Sequence, residues 1–367
     1  MMLLSFTGFM AYFGKILIAL VILLFMITVH EFGHFIAGKL LKFKINEFAV
    51  GMGPKIFSKK AKDGQVFSLR AIPLGGFCAF EGEDEAGNSS PEAFNNQKPW
   101  KRIVVLSAGA IFNFVSAVLI AIFAFGFFGD TVLKIDKVFD DSINKATYGT
   151  DIGFCEEDII YSIDGKTVFL LQDIPSYIAN AENTMSVVVL RKNEQGKNQK
   201  VNLTVKKGEY HYEYVDDNGE TQTGTAFGWG IQNIYDKYKF GFGQSIIRSV
   251  PYCCRAGTYI LETLGGLITG KVSLNDVGGP ITTIDITTQV IDTGWGNTFF
   301  LIILISVNLA VFNLLPLPAL DGARIVFVLI EWIFRKPVNR RIEAMVHTVG
   351  LIVLFALVII LDVARYI

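Results

Sequence analysis

Apolar positions along the chain gather into four long runs, at about residues 14–38, 103–128, 299–320 and 346–361. Each approaches or exceeds the length that a bilayer's hydrocarbon requires of a helix, so four transmembrane helices are expected. Between the first two runs the pattern changes to alternation at 47–50 and 66–72. Gly51-Met52-Gly53-Pro54 separates these stretches and Pro73-Leu74-Gly75-Gly76 ends the second, which predicts a β-hairpin or small sheet. Two readings of it stay open: a soluble hairpin, or one that dips into the membrane and offers its edge to an extended substrate segment.

The long stretch between the second and third runs reads as a folded domain. Alternation predicts strands at 132–138, 158–163, 167–168, 185–190 and 201–205, with a turn at Asp164-Gly165 and a helix over 172–181. Residues 208–240 predict a further hairpin turning at Asp217-Asn218-Gly219. The segment 242–271 is amphipathic, with Arg248, Arg255 and Glu262 among apolar positions, and suits an interfacial helix. The expected fold is therefore a polytopic α-helical membrane protein with a β-hairpin or sheet at the membrane and an α+β domain outside. Its parts are residues 1–128, 129–207, 208–298 and 299–367.

Lysine and arginine set the orientation. The loop 39–102 carries a dense set, from Lys39 to Arg102, and the short loop before the last run carries Arg324, Arg335, Lys336, Arg340 and Arg341. Both should be cytoplasmic, which places both termini and the 129–298 region outside. The first run ends in His-Glu-Phe-Gly-His rather than a small-residue cleavage site, which disfavours a signal peptide. A hydrophobic fraction of 51% and a net charge of -1 fit a bilayer protein and imply no nucleic-acid partner. The four cysteines, Cys78, Cys155, Cys253 and Cys254, have no spacing that suggests a disulfide framework or a cysteine metal site.

The candidate chemistry lies in the first run. No charge occurs from Ile16 to Val29, and then His30-Glu31-Phe32-Gly33-His34 follows. Two histidines and a carboxylate are costly in hydrocarbon, so a span that keeps them there uses them. Residues four apart share a helix face, so both imidazoles can reach one zinc ion, with Glu31 placed to take a proton from metal-bound water. The bland alternative is a chance HExxH in a helix. A catalytic zinc needs a third protein ligand. Asn313-Leu314-Leu315-Pro316-Leu317-Pro318-Ala319-Leu320-Asp321-Gly322 breaks the third run, and Asp321 re-emerges at the depth of His34. Read alone, Asp321 would be a helix N-cap.

HExxH in a first span with Asn-x-x-Pro-x-Pro-x-Leu-Asp-Gly in a later one resembles the site-2 protease family of intramembrane zinc metalloproteases. The outer domain's order of strands and helices resembles a PDZ module, as in the bacterial branch typified by the regulator of sigma-E protease. Ala93-Phe94-Asn95-Asn96, Phe112-Asn113 and Gly279-Pro280-Ile281 are similar to that branch too. The resemblance implies one zinc ion on His30, His34 and Asp321, with Glu31 as catalytic base and Asn313 hydrogen-bonding the substrate backbone. It implies regulated intramembrane proteolysis of transmembrane proteins, such as anti-sigma factors and remnant signal peptides, in a bacterial cell membrane. The PDZ-like domain would act as a size filter against uncut proteins. Two departures stand out: Gly109-Ala110 where the family commonly has Gly-Pro, and Glu157-Asp158 where a PDZ module commonly has Gly-Asp.

Two other classes compete. A four-span zinc carrier would use the same histidines and carboxylates as transit ligands, but one cluster makes a poor conduit and a carrier has no need of a PDZ module. An inactive scaffold would have no reason to keep all four chemical residues.

Overall fold

The computed structural model describes residues 6–83, 90–146, 153–179, 183–215, 219–273 and 278–364. In chain order they form α1 (Phe6–Leu40), β1 (Ile45–Lys60), β2 (Val66–Phe80), α2 (Pro99–Phe127), β3 (Asp130–Val138), β4 (Ile159–Ile163), β5 (Lys166–Thr167) and α3 (Asp173–Ala179). Then come β6 (Thr184–Lys192), β7 (Asn198–Lys206), β8 (Gly208–Val215), β9 (Thr221–Gly228), β10 (Ile231–Tyr238), α4 (Phe242–Ile268), α5 (Pro280–Asp292), α6 (Trp295–Leu314), α7 (Asp321–Phe334) and α8 (Arg340–Ala364). The chain divides into two compact units, one of residues 1–123 with 256–367 and one of residues 124–255.

In the first unit, three helices are long and apolar enough to cross a membrane: Met10–Leu40 within α1, Pro99–Phe127 and Trp295–Leu314. A helix is what such sequences must form in lipid, because only there are all backbone groups paired within the segment. The third is shorter than its apolar run. α6 stops at Leu314, where Leu315 turns extended ahead of Pro316, and residues up to Leu320 form a tight turn. The fourth apolar run lies within α8. Helix α5 was not foreshadowed by the hydropathy pattern. Asp362 near the end of α8 caps it, accepting from Gly279 N–H at 2.9 Å and from Thr282 N–H at 3.2 Å and Oγ1 at 2.8 Å.

The expected hairpin is a more elaborate sheet. β1 and β2 run through Pro54 and Pro73 rather than ending at the glycine–proline clusters. Residues 45–50 pair with 76–80 on one side and 66–69 on the other, while 57–60 pair with the outer side of 66–69. Two long bent strands thus make four arms, with 57–60 and 76–80 at the edges. Gly51 and Gly75, at φ 83° and 95°, turn the chain without ending the strands. Each proline sits in a stretch with no cross-strand partner, where its missing N–H costs nothing. Phe43 just before β1, Phe48 in the arm 45–50, and Cys78 and Phe80 in the arm 76–80 pack against Ala37 of α1, Val105 and Ala108 of α2, and Val328 of α7. The outer arm leaves Ile56 and Phe57 exposed, at 68% and 63%.

The second unit is built on a sheet of order β10-β3-β4-β6-β7, with β5 paired to β4. Leu133, Ile135, Ile163, Val187, Val189, Leu203 and Val205 alternate inward to form its core, which α3 covers through Ile174. The expected strands are present, and β3, β6 and β7 are longer than the alternation suggested. Within 208–240 the expected hairpin forms between β8 and β9, over 208–228, and β10 joins the main sheet beside β3. Residues 217–218 of the expected turn and 180–181 of the expected helix lie outside the described residues. The Glu157 departure has a visible cost. Its φ is 70°, the left-handed region that glycine enters freely. Asp158 behind it is buried and takes two hydrogen bonds from Arg191, at 2.9 and 2.7 Å.

Two of the three charged positions of α4 turn to buried carboxylates. Arg248 reaches buried Asp130 at 2.9 Å, with its guanidinium 4.7 Å from the Phe240 ring centre, and Arg255 reaches buried Asp173 at 2.7 Å. An amphipathic pattern looks the same in sequence whether its charges meet water or buried carboxylates.

Candidate active site

Residues 30 and 34 lie in the later part of α1, within its longest apolar stretch, and helical spacing sets their rings edge to face with centroids 4.7 Å apart. Both side chains are buried. The His30 and His34 Nε2 atoms lie 3.1 Å apart, and Asp321 Oδ2 lies 3.0 Å from the first and 3.3 Å from the second. The three sequence-predicted ligands therefore meet. Among the described residues they are the group of three such donors close enough to share a metal ion.

The donor set fits zinc. Ligands at about 2.0–2.1 Å from a tetrahedral ion stand roughly 3.3 Å from each other, and the observed edges run from 3.0 to 3.3 Å. Three lone-pair donors this close, in a buried place, repel unless a cation or protons lie between them. The remaining nitrogen of His34 is accounted for: Nδ1–H donates to the Val105 carbonyl at 2.8 Å, which leaves Nε2 free as a ligand.

The turn after α6 delivers Asp321. Its Ala319 takes φ 75°, unusual for a residue with a side chain, and Ala319 N–H donates to His347 Nδ1 of α8 at 3.0 Å. Gly322 lets the turn fold back closely, since a Cβ there would lie 2.1 Å from the Leu315 carbonyl oxygen. On the other side, α2 presents Gly109 to the two histidines. A Cβ at 109 would lie 2.5 Å from His34 Nε2 and 2.6 Å from His30 Cε1, so only glycine leaves both rings their place.

Glu31 sits on two cavities that adjoin the donor triangle. One, about 640 Å³, is lined by Glu31, His34, Asp321 and the β2 edge at Phe77 and Cys78. The other, about 290 Å³, is lined by His30, Glu31, Asp321, Leu309 and Asn313. All five predicted site residues thus converge, with Asn313 in the last turn of α6. Sequence reading gave no role to Val105, Gly109 or His347. The one usable signal was spacing: Val105, Gly109 and Asn113 recur every four residues and so share one face of α2.

The match to known proteins covers almost the whole chain: residues 18–357 fit the model of peptidase family M50. The chain belongs to that family. M50 relatives include a "putative zinc metalloprotease" of Fusobacterium nucleatum, 31% identical over 95% of this chain and 97% of its own length. One from Clostridium perfringens, with the same description, is 32% identical over 95% and 97%. The zinc metalloprotease RasP of Bacillus licheniformis is 27% identical over 91% and 94%. For an M50 peptidase, the carrier reading has no support.

Proposed function

We propose that this M50 peptidase is an intramembrane zinc endopeptidase that cuts peptide bonds within transmembrane segments of other proteins. The observation that carries the reading is the donor triangle of His30, His34 and Asp321, with Glu31 beside it, in a helix apolar enough to span a bilayer. His30, His34 and Asp321 hold one zinc ion per chain. Bound there, it supplies a Lewis acid that polarises the scissile carbonyl and makes water nucleophilic near neutral pH. Glu31 takes the proton from the attacking water and returns it to the leaving amine. Asn313, across the smaller cavity, holds the substrate backbone by hydrogen bonds.

A helical substrate hides its carbonyls in its own hydrogen bonds, so it must unwind before attack. The arm 76–80 of β2 is an edge that lines the larger cavity, and an unwound segment would pair with it as an added strand. This favours substrates with Gly, Ser, Ala or Pro near the cut. The exposed Ile56 and Phe57 of the opposite edge support the reading in which the sheet dips into the membrane. α8 serves as a fourth span, the active site lies near the cytoplasmic face, and the second unit is an extracytoplasmic PDZ-like filter. Anti-sigma factors already shortened outside, and remnant signal peptides, are the substrate class.

The test is Glu31→Gln in purified protein with a model transmembrane substrate. Zinc content stays near one per chain while cleavage falls by several orders of magnitude. A Glu31→Gln enzyme cutting at wild-type rate would refute the assignment.

A further inference from the structure

Asn113 is fully buried at 0% exposure, deep in α2, and has no place among the ligands. Its position is fixed firmly. Its backbone carbonyl accepts from Ser116 Oγ at 2.8 Å and from Ser306 Oγ of α6, also at 2.8 Å. Its side chain points at His30: Nδ2 lies 3.4 Å from His30 Nδ1, while Oδ1 is buried with no hydrogen-bond partner.

That arrangement is paired the wrong way round for a ligand histidine. An amide that donates to Nδ1 obliges the ring to carry its proton on Nε2, the atom that faces Asp321 and His34. A half-turn of the amide about its last bond exchanges oxygen for nitrogen at almost the same place. Oδ1 then accepts from His30 Nδ1–H, the orphaned oxygen gains its partner, and the Nε2 lone pair is free. One end of the amide is without a partner in either orientation, so what the exchange gains is the freed Nε2 lone pair.

We infer that Asn113 is a positioning residue that sets the tautomer and orientation of His30 for metal binding. The inference rests on the reading that His30 is a zinc ligand. α2 treats the two histidines in parallel. Val105 gives its carbonyl to His34 Nδ1, Gly109 leaves space for both rings, and Asn113 turns its amide group to His30 Nδ1. The three residues follow at intervals of four, so one helix face does all three tasks.

The experiment compares full-length wild type, Asn113→Leu and Asn113→Asp. Leucine keeps the volume and removes the acceptor; aspartate keeps the acceptor. Zinc dissociation into a chelator should be about 10–100-fold more favourable for Asn113→Leu, and Asn113→Asp should hold zinc as tightly as wild type. Cobalt(II) substitution adds a readout that a structural role would not move. Wild type should show two hyperfine-shifted, slowly exchanging imidazole N–H resonances, and Asn113→Leu should lose one. Should Asn113→Leu fail to fold, Asn113→Asp decides: weakened zinc in that variant overturns the inference. So does wild-type affinity, or both resonances intact, in Asn113→Leu. His30→Ala separates the two levels: if it keeps zinc, the ligand reading itself falls.

Discussion

His30 Nε2 and Asp321 Oδ2 lie 3.0 Å apart across 291 positions of sequence. The chain closes that distance by breaking a helix. α6 ends at Leu314, a short turn reverses direction, and Asp321 becomes the first residue of α7. The contact thus depends on the tight turn as much as on the two side chains themselves.

Removing the metal tests that closure. Treating the enzyme with a strong chelator should abolish cleavage, and added zinc should restore it. Asp321→Ala should bind zinc too weakly to retain it through purification, and added zinc should not restore its activity, because two imidazoles alone leave the site one protein ligand short. Metal analysis beside a cleavage assay measures both. Full activity of Asp321→Ala after zinc addition would remove Asp321 from the ligand set.

Glu157→Gly should stabilise the second unit by about 1 kcal/mol, because glycine adopts the left-handed backbone found there without a Cβ penalty. The substitution loses an ion pair to Lys134 at 3.0 Å, but Glu157 is exposed at 61% and such a pair contributes little. Denaturant melting of the purified chain reads the effect. A lowered midpoint would mean that the ion pair outweighs the backbone term.

The inner sheet of the first unit should loosen in acid. Partial burial works to raise the Glu47 carboxyl, but hydrogen bonds from Ser68, Arg70 and Lys55 outweigh it and hold the group at about 2, below its ordinary 4.5. A carboxyl lowered on folding stabilises the fold fully above its ordinary value, and that stabilisation is lost as pH falls from about 4.5 towards about 2. Hydrogen exchange along β1 and β2, corrected for its intrinsic pH dependence, should show protection falling in that window. Glu47→Gln should flatten the profile, and an unchanged profile would count against the mechanism.

Orientation is tested by labelling. In a variant without its own cysteines, a single cysteine at position 62 should resist an impermeant thiol reagent in intact cells, and one at position 198 should react. The reverse result would place the catalytic residues towards the outer face.

The sequence by itself determined whatever depends on neighbours along the chain. Apolar runs marked α1, α2 and α6, because lipid leaves a long apolar segment no other way to pair its backbone. Strict alternation marked β3, β4, β6 and β7. The His30, Glu31 and His34 group was legible because helical pitch alone brings positions 30 and 34 together. Asp321 was legible only through the broken helix that precedes it and the family pattern around it. Tertiary structure alone decided the rest. Which arms of β1 and β2 pair depends on positive-φ glycines acting as bends, and α5 is held by Asp362 from the far end of the chain. The charges of α4 look solvent-facing until Asp130 and Asp173 are seen behind them. Val105, Gly109 and Asn113 have no role that the sequence assigns. They acquire meaning only when α1 lies against them, since the space around an imidazole and the proton on its far nitrogen are set by whichever helix packs there.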